Sequence, residues 1–180
     1  EHAVRTMAVG SRSFTTAARL FPSPTRRSAL MLYAWCRHCD DVIDDQELGF
    51  ALQTPELASS TAWSTQPRPA SIAQRSTQSS ASAMDRLNEL RSKTTQAYAG
   101  QPTAEPAFAA FQEVATRHDI PIHLALDHLA GFGMDVNGHV YRSMDDTLLY
   151  CYRVAGVVGL MMAHVMGVRD ERVLDRACDL

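Results

Sequence analysis

Four side chains spaced along one stretch of the chain, Tyr33, Arg37, Asp40 and Asp44, are of the types that manage an anionic substrate: a phenol, a guanidinium and two carboxylates. If the stretch is helical, each residue advances by about 100°, and positions i, i+4, i+7 and i+11 fall within a stripe roughly 60° wide. All four then point the same way. Leu32, Cys36, Cys39 and Ile43 flank the stripe, Met31, Trp35 and Val42 lie behind it, and only a wedge holding His38, Asp41 and Asp45 is left for solvent. A helix that is apolar nearly all round is a buried one. Burying carboxylates without partners is costly, and Arg37 supplies one positive charge for two of them. Two carboxylates one turn apart suit Mg²⁺, which keeps much of its water and binds one or two carboxylates together with substrate phosphates, with Mn²⁺ as the alternative ion. The other reading is an acidic helix end solvated outside the core, although acids at a helix C-terminus oppose the macrodipole.

The helix that must carry the stripe has a start signal at Ser23-Pro24, Ser23 as N-cap and Pro24 at the first helical position, and extends to about Asp45. Upstream, Gly10-Ser11-Arg12-Ser13-Phe14 is a small-polar turn followed by Phe14, Ala17, Ala18 and Leu20 at helical spacing. Free N–H groups at such a helix start bind an anion or simply accept a cap. From 57 to 83 Ser, Thr, Ala, Gln and Pro dominate without a period, which predicts a flexible loop. Helical spacing returns over 84–98, 105–118 and from Pro121 to Asp135. Ser143 then caps a further helix, with Asp145 and Asp146 in its first turn and Gly167 after its last. Within it Ala155, Gly156 and Gly159 lie close to one face, as close helix packing or the floor of a ligand channel would require. Every periodic segment is helical, so the expected fold class is all-α.

Composition narrows the function. The 180 residues are 46% hydrophobic and carry 17 basic against 20 acidic side chains, a net charge of −3, so no basic field argues for nucleic acid. Cys36, Cys39, Cys151 and Cys178 have no regular spacing and fit a reducing cytoplasm; Cys36 and Cys39 sit in the apolar face and are expected to pack rather than react. The longest low-charge apolar stretch, 154–166, is shorter than the roughly 20 residues of a membrane span. His2, His118, His123, His128, His139 and His164 make no ligand spacing and are expected at the surface or as satisfied core residues. The chain begins at Glu1 rather than Met and stops inside an unfinished helix, so a fragment is expected.

The Y-A-W-C-R-x-x-D-D-x-I-D-D string of Tyr33 to Asp45 resembles the first aspartate-rich motif of the squalene/phytoene synthase family, close to its bacterial phytoene synthases. Ser11 to Phe14 resembles the S-[KR]-S-F motif, Gly131 to Asp135 the G-M-x-M-D segment, and Val154 to Gly159 the V-A-G-x-V-G string of the same family. The resemblance implies the N-terminal part of an isoprenoid synthase helical bundle around a central cavity. It implies Asp40 and Asp44 as Mg²⁺ ligands, with Tyr33 and Arg37 as catalytic partners. Ser11, Arg12, Ser13, Tyr33 and Arg37 would contact a prenyl diphosphate, and Val154, Ala155, Gly156 and Gly159 would floor its channel. The implied reaction joins two geranylgeranyl diphosphates head to head through a cyclopropylcarbinyl diphosphate to phytoene, in the cytoplasm with peripheral membrane contact. A squalene or dehydrosqualene synthase using farnesyl diphosphate shares these motifs, and a non-catalytic assembly protein of the family would lack the aspartates. The family's second aspartate motif, N-x-x-R-D-x-x-x-D, matches nothing after Asp135, so this chain alone is expected to be inactive.

Overall fold

The computed structural model describes residues 16–47, 50–51 and 71–178. Its helices are α1 (Ser23–Asp44), α2 (Ser71–Tyr98), α3 (Pro106–His118), α4 (Ile122–Val136), α5 (Met144–Cys151), α6 (Val157–Val165) and α7 (Glu171–Cys178). A five-residue π-helical segment, Tyr152–Gly156, joins α5 to α6. Gln46–Glu47 and Phe50–Ala51 form a minimal antiparallel pair, β1 and β2, after α1. The fold class is all-α, as the periodicity predicts.

α1 packs on α3, α2 lies along α3 and α4, and α4 lies along the π segment and α6. Between them Trp35 stacks on Phe111 with ring centroids 4.0 Å apart, and Leu32, Leu87, Leu90, Phe108, Val114, Leu129 and Met161 are fully buried around the pair. This aromatic core fixes α1 from behind and leaves the opposite side of the helix free to face a hollow.

The helix ends follow local chemistry, with two corrections. Pro22, not Ser23, is the N-cap of α1: Ser23 is already helical and no side chain caps the start. α2 begins at Ser71, so 71–83 is helix rather than loop; no Pro or Gly interrupts 71–98, and Ser, Thr and Gln extend a helix whose later turns are anchored by Leu87 and Leu90. Residues 52–70 lie outside the described part. The start of α5 is as read: Ser143 accepts from the Asp146 N–H while the Asp146 carboxylate accepts from the Ser143 N–H. Gly100 and Gly167 close α2 and α6 at φ 72° and 89°, a backbone region that favours glycine.

Met144 to Val165 is one continuous run of 22 residues, long and apolar enough by length and composition to cross a membrane. The run is longer than 154–166 because the α5 residues extend it, and the core helix of a folded bundle passes the same length-and-composition test. In the fold the π segment and α6 pack along α4, while α5 has Met144, Leu148 and Leu149 exposed.

Candidate functional site

A hollow of about 590 Å³ lies where α1, α4 and the π segment meet. Tyr33, Arg37, Asp40 and Asp44 line it together, along with Cys36 and Ile43 from α1. α4 contributes His128, Phe132 and Asp135, and the segment around the π helix contributes Tyr150, Val154, Ala155 and Val158. The α1 side is therefore mainly charged, and the side formed by α4 and the π segment mixes Phe132, Val154, Ala155 and Val158 with Asp135, His128 and Tyr150. A larger hollow, about 730 Å³, lies by Pro121, His164, Arg169 and Asp175, but it holds none of the aspartate stripe.

Arg37 organises the charged end. Its Nη1 lies 2.9 Å from Asp40 Oδ2 and its Nη2 lies 2.7 Å from Asp41 Oδ1. Asp41, expected in solvent, is the more buried of the two, its side chain 12% exposed against 39% for Asp40. Its place beside the guanidinium explains this, since charge-assisted bonds offset the loss of water. Asp44 is exposed at the rim. Arg86 of α2 donates from Nη2 to the Ile43 carbonyl at 3.1 Å, meeting one of the unpaired carbonyls at the end of α1 and setting a cation against the macrodipole there. Sequence periodicity carried no sign of Arg86.

The electrostatics favour a cation. Burial raises the Asp40 pKa, Arg37 opposes that, and the neighbouring Asp44 and Asp41 raise it further. A carboxylate pair with less than one full counter-charge fits a partly hydrated divalent ion completed by phosphate oxygens. It does not make a closed protein cage: among the described residues no group of three or more His, Cys, Asp or Glu is arranged to hold a metal. Tyr33 has its phenol pKa raised, first by burial, and burial pushes the Cys36 thiol up to about 12. Neither is ionised at neutral pH, and Cys36 and Cys39 are free thiols. The Tyr150 hydroxyl donates to Asp135 Oδ2 at 2.9 Å, and burial followed by that bond raises the phenol to about 12.

The small residues divide. Val154 and Ala155 line the hollow, but Gly156 and Gly159 are not among its lining residues. A Cβ on Gly159 would meet nothing within 4 Å, and one on Gly156 would meet only Tyr152 of its own helix, at 3.2 Å. The close approach is on α4 instead: a Cβ on Gly131 would lie 2.8 Å from Val154 Cγ1 and 3.2 Å from Arg153 Cβ. Ser11, Arg12 and Ser13 lie outside the described residues. Not all core histidines are satisfied: His128 Nε2 and His164 Nδ1 are buried without a hydrogen-bond partner among the described residues.

Residues 7–180 match the sequence profile of the squalene/phytoene synthase family. The chain is 59% identical to the 15-cis-phytoene synthase of Pantoea ananas, over 99% of this chain and 50% of that protein. It is 57% identical to a phytoene synthase of Pseudescherichia vulneris, over 100% of this chain and 51% of the relative. The chain spans about half the length of the curated relatives it matches. Among solved structures it is similar to the squalene synthase HpnC of Alicyclobacillus acidocaldarius (TM-score 0.70, 20% identity, 98% of this chain and 54% of that one). A dehydrosqualene synthase solved with a ligand gives TM-score 0.69 at 21% identity, over 98% of this chain and 50% of that one. At these identities the likeness concerns the fold.

Proposed function

This chain belongs to the squalene/phytoene synthase family, and we propose that the complete protein is a phytoene synthase, a prenyltransferase that condenses two geranylgeranyl diphosphates head to head. The observation that carries this is one hollow lined both by Arg37, Asp40 and Asp44 and by Phe132, Val154 and Val158. It is a shape for a molecule with an anionic head and a hydrocarbon tail, and the 59% identity to a 15-cis-phytoene synthase supports a C20 substrate.

Asp40 and Asp44 would hold Mg²⁺, which would supply positive charge to stabilise departing diphosphate. Asp41 and Asp40 hold Arg37 in place, so its guanidinium is fixed before the substrate arrives and costs little reorganisation when charge develops. Tyr33, protonated, presents its ring and hydroxyl at the same wall, and an aromatic face there stabilises an allylic cation. The apolar wall excludes water, which would otherwise trap the cation as an alcohol. Loss of the first diphosphate gives an allylic cation that the allylic double bond of the second substrate attacks, and loss of a proton closes the ring of the cyclopropylcarbinyl diphosphate; a second ionisation, rearrangement and proton loss give the hydrocarbon. Ser11, Arg12 and Ser13 belong in this proposal as diphosphate contacts. We place the protein in the cytoplasm, touching membrane through the exposed apolar side of α5, where Met144, Leu148 and Leu149 stand outward.

The test is to supply the complete protein with geranylgeranyl diphosphate, with and without Mg²⁺, and to identify products by mass. A Mg²⁺-dependent C40 hydrocarbon is expected. A C30 product from farnesyl diphosphate, with none from the C20 substrate, would move the assignment to the squalene-type synthases; no diphosphate release from either would support a non-catalytic relative.

A further inference from the structure

His128 stands in the wall of the hollow, and neither diphosphate binding nor ion binding uses it. It is 4% exposed, with its ring 4.9 Å from Phe132 and 5.7 Å from Trp35, centroid to centroid. Its Nδ1 lies 3.3 Å from the Arg153 carbonyl oxygen. A carbonyl only accepts, so Nδ1 carries the hydrogen and Nε2 carries the lone pair. That lone pair has no partner among the described residues. A buried unpaired acceptor costs free energy, and this one is retained at the meeting of two special backbone features. Arg153 belongs to the π segment, in which the Val157 N–H bonds to the Tyr152 carbonyl, and such segments are frequent at functional sites. Gly131, one turn along α4, lets that segment come close enough for its carbonyl to reach the ring.

Of the other polar groups of the hollow, Asp44 is exposed at the rim among the residues assigned to the ion, and the rest are engaged. Asp40 holds Arg37, Asp135 accepts from Tyr150, and the Cys36 thiol and the Tyr33 and Tyr150 phenols keep their protons. Burial holds His128 neutral, its pKa lowered to about 4.

We propose that His128 Nε2 is the base that removes the terminal proton from the C40 carbocation, a role that rests on the phytoene synthase reading above. In that step the C–H bond beside the cationic carbon breaks and its electron pair becomes the new C=C bond. The proton passes to Nε2, giving an imidazolium that later returns it to released diphosphate. A weak base suffices, because a hydrogen beside a carbocation is a far stronger acid than imidazolium. The rings of Trp35 and Phe132 lie against the imidazole and favour its transient positive charge. Nε2 lies within the wall rather than on its surface, so the bound hydrocarbon must press into the wall to reach it.

The complete protein and its His128→Phe variant, which keeps a ring but no lone pair, are compared with geranylgeranyl diphosphate and Mg²⁺. Diphosphate release should stay within about threefold while phytoene formed per diphosphate falls about tenfold or more, replaced by C40 alcohols or by the cyclopropylcarbinyl diphosphate. Added imidazole should restore phytoene in His128→Gly. An unchanged product ratio in His128→Phe overturns the role. A parent protein that makes no C40 hydrocarbon overturns the phytoene synthase reading itself. If His128→Phe does not fold, ¹⁵N spectra of histidine-labelled parent protein decide: the Nδ1–H tautomer at His128 is expected, and an Nε2–H tautomer overturns the proposal.

Discussion

Replacing Asp40 by Asn separates what the aspartate does for the fold from what it does for the reaction. Asp40 has its pKa raised by burial and by two neighbouring acids. The folded state therefore binds its proton more tightly than the unfolded state does. That contribution is fully present below the ordinary carboxylate pKa and is lost as pH rises through the folded value, so at neutral pH the charged group is a burden. Asn removes that burden and gives up the 2.9 Å ion pair to Arg37, which at 39% exposure is worth about 0–1 kcal/mol. The two effects oppose, and the net change should stay within about 1 kcal/mol, or roughly 2–4 °C in melting temperature. Turnover should fall about 10²–10³-fold, the scale on which removing one stabiliser of developing charge acts. The assay is thermal melting followed by circular dichroism on the complete protein, with and without Mg²⁺, beside diphosphate release. Turnover within threefold of the parent, or a melting temperature lowered by more than about 10 °C, would refute the assignment.

Other outcomes follow from the same geometry. Gly131→Ala should destabilise by about 1–3 kcal/mol, since its Cβ would sit 2.8 Å from Val154 Cγ1, whereas Gly159→Ala meets open space and should stabilise by up to about 1 kcal/mol; urea unfolding midpoints check both. Trp35→Ala, which empties the fully buried stack on Phe111, should cost about 3–5 kcal/mol by the same measurement. Because His128 is held neutral down to about 4, its share of stability is present above the unfolded histidine pKa and is lost as pH falls from about 6.5 toward 4; the melting temperature of His128→Phe should decline less across that window than that of the parent.

The sequence made some of this legible because residue type and helical period agree. Along α1 a period of 3.6 residues gathers Tyr33, Arg37, Asp40 and Asp44 on one side and separates them from the neighbouring Asp41 and Asp45. Ser143 as the cap of α5, with Asp145 and Asp146 in its first turn, is legible in the same way, and the structure adds the reciprocal bond from Asp146 that completes a capping box. Asp41 was not legible: its burial depends on one guanidinium reaching two carboxylates, at i+3 and i+4, and a helical wheel does not contain that choice of rotamer. Residues 71–83 lack an apolar period, and their helix is an extension of packing that begins further along. Helical spacing points to Gly156 and Gly159 for the close approach, and the structure has it at Gly131, because a wheel drawn with regular α geometry misses a π segment and says nothing of the neighbouring helix. His128 shows a similar limit, because a histidine's letter does not say which nitrogen carries the proton; Arg153 decides that from another element.

The most direct measurement is a crystal structure of the complete protein with Mg²⁺ and a non-hydrolysable geranylgeranyl thiodiphosphate. Metal ions held by Asp40 and Asp44 beside the diphosphate are expected, with the tail lying against Phe132, Val154 and His128. A diphosphate bound instead in the hollow by Arg169 and Asp175, with the Asp40 and Asp44 carboxylates free of metal, would contradict this.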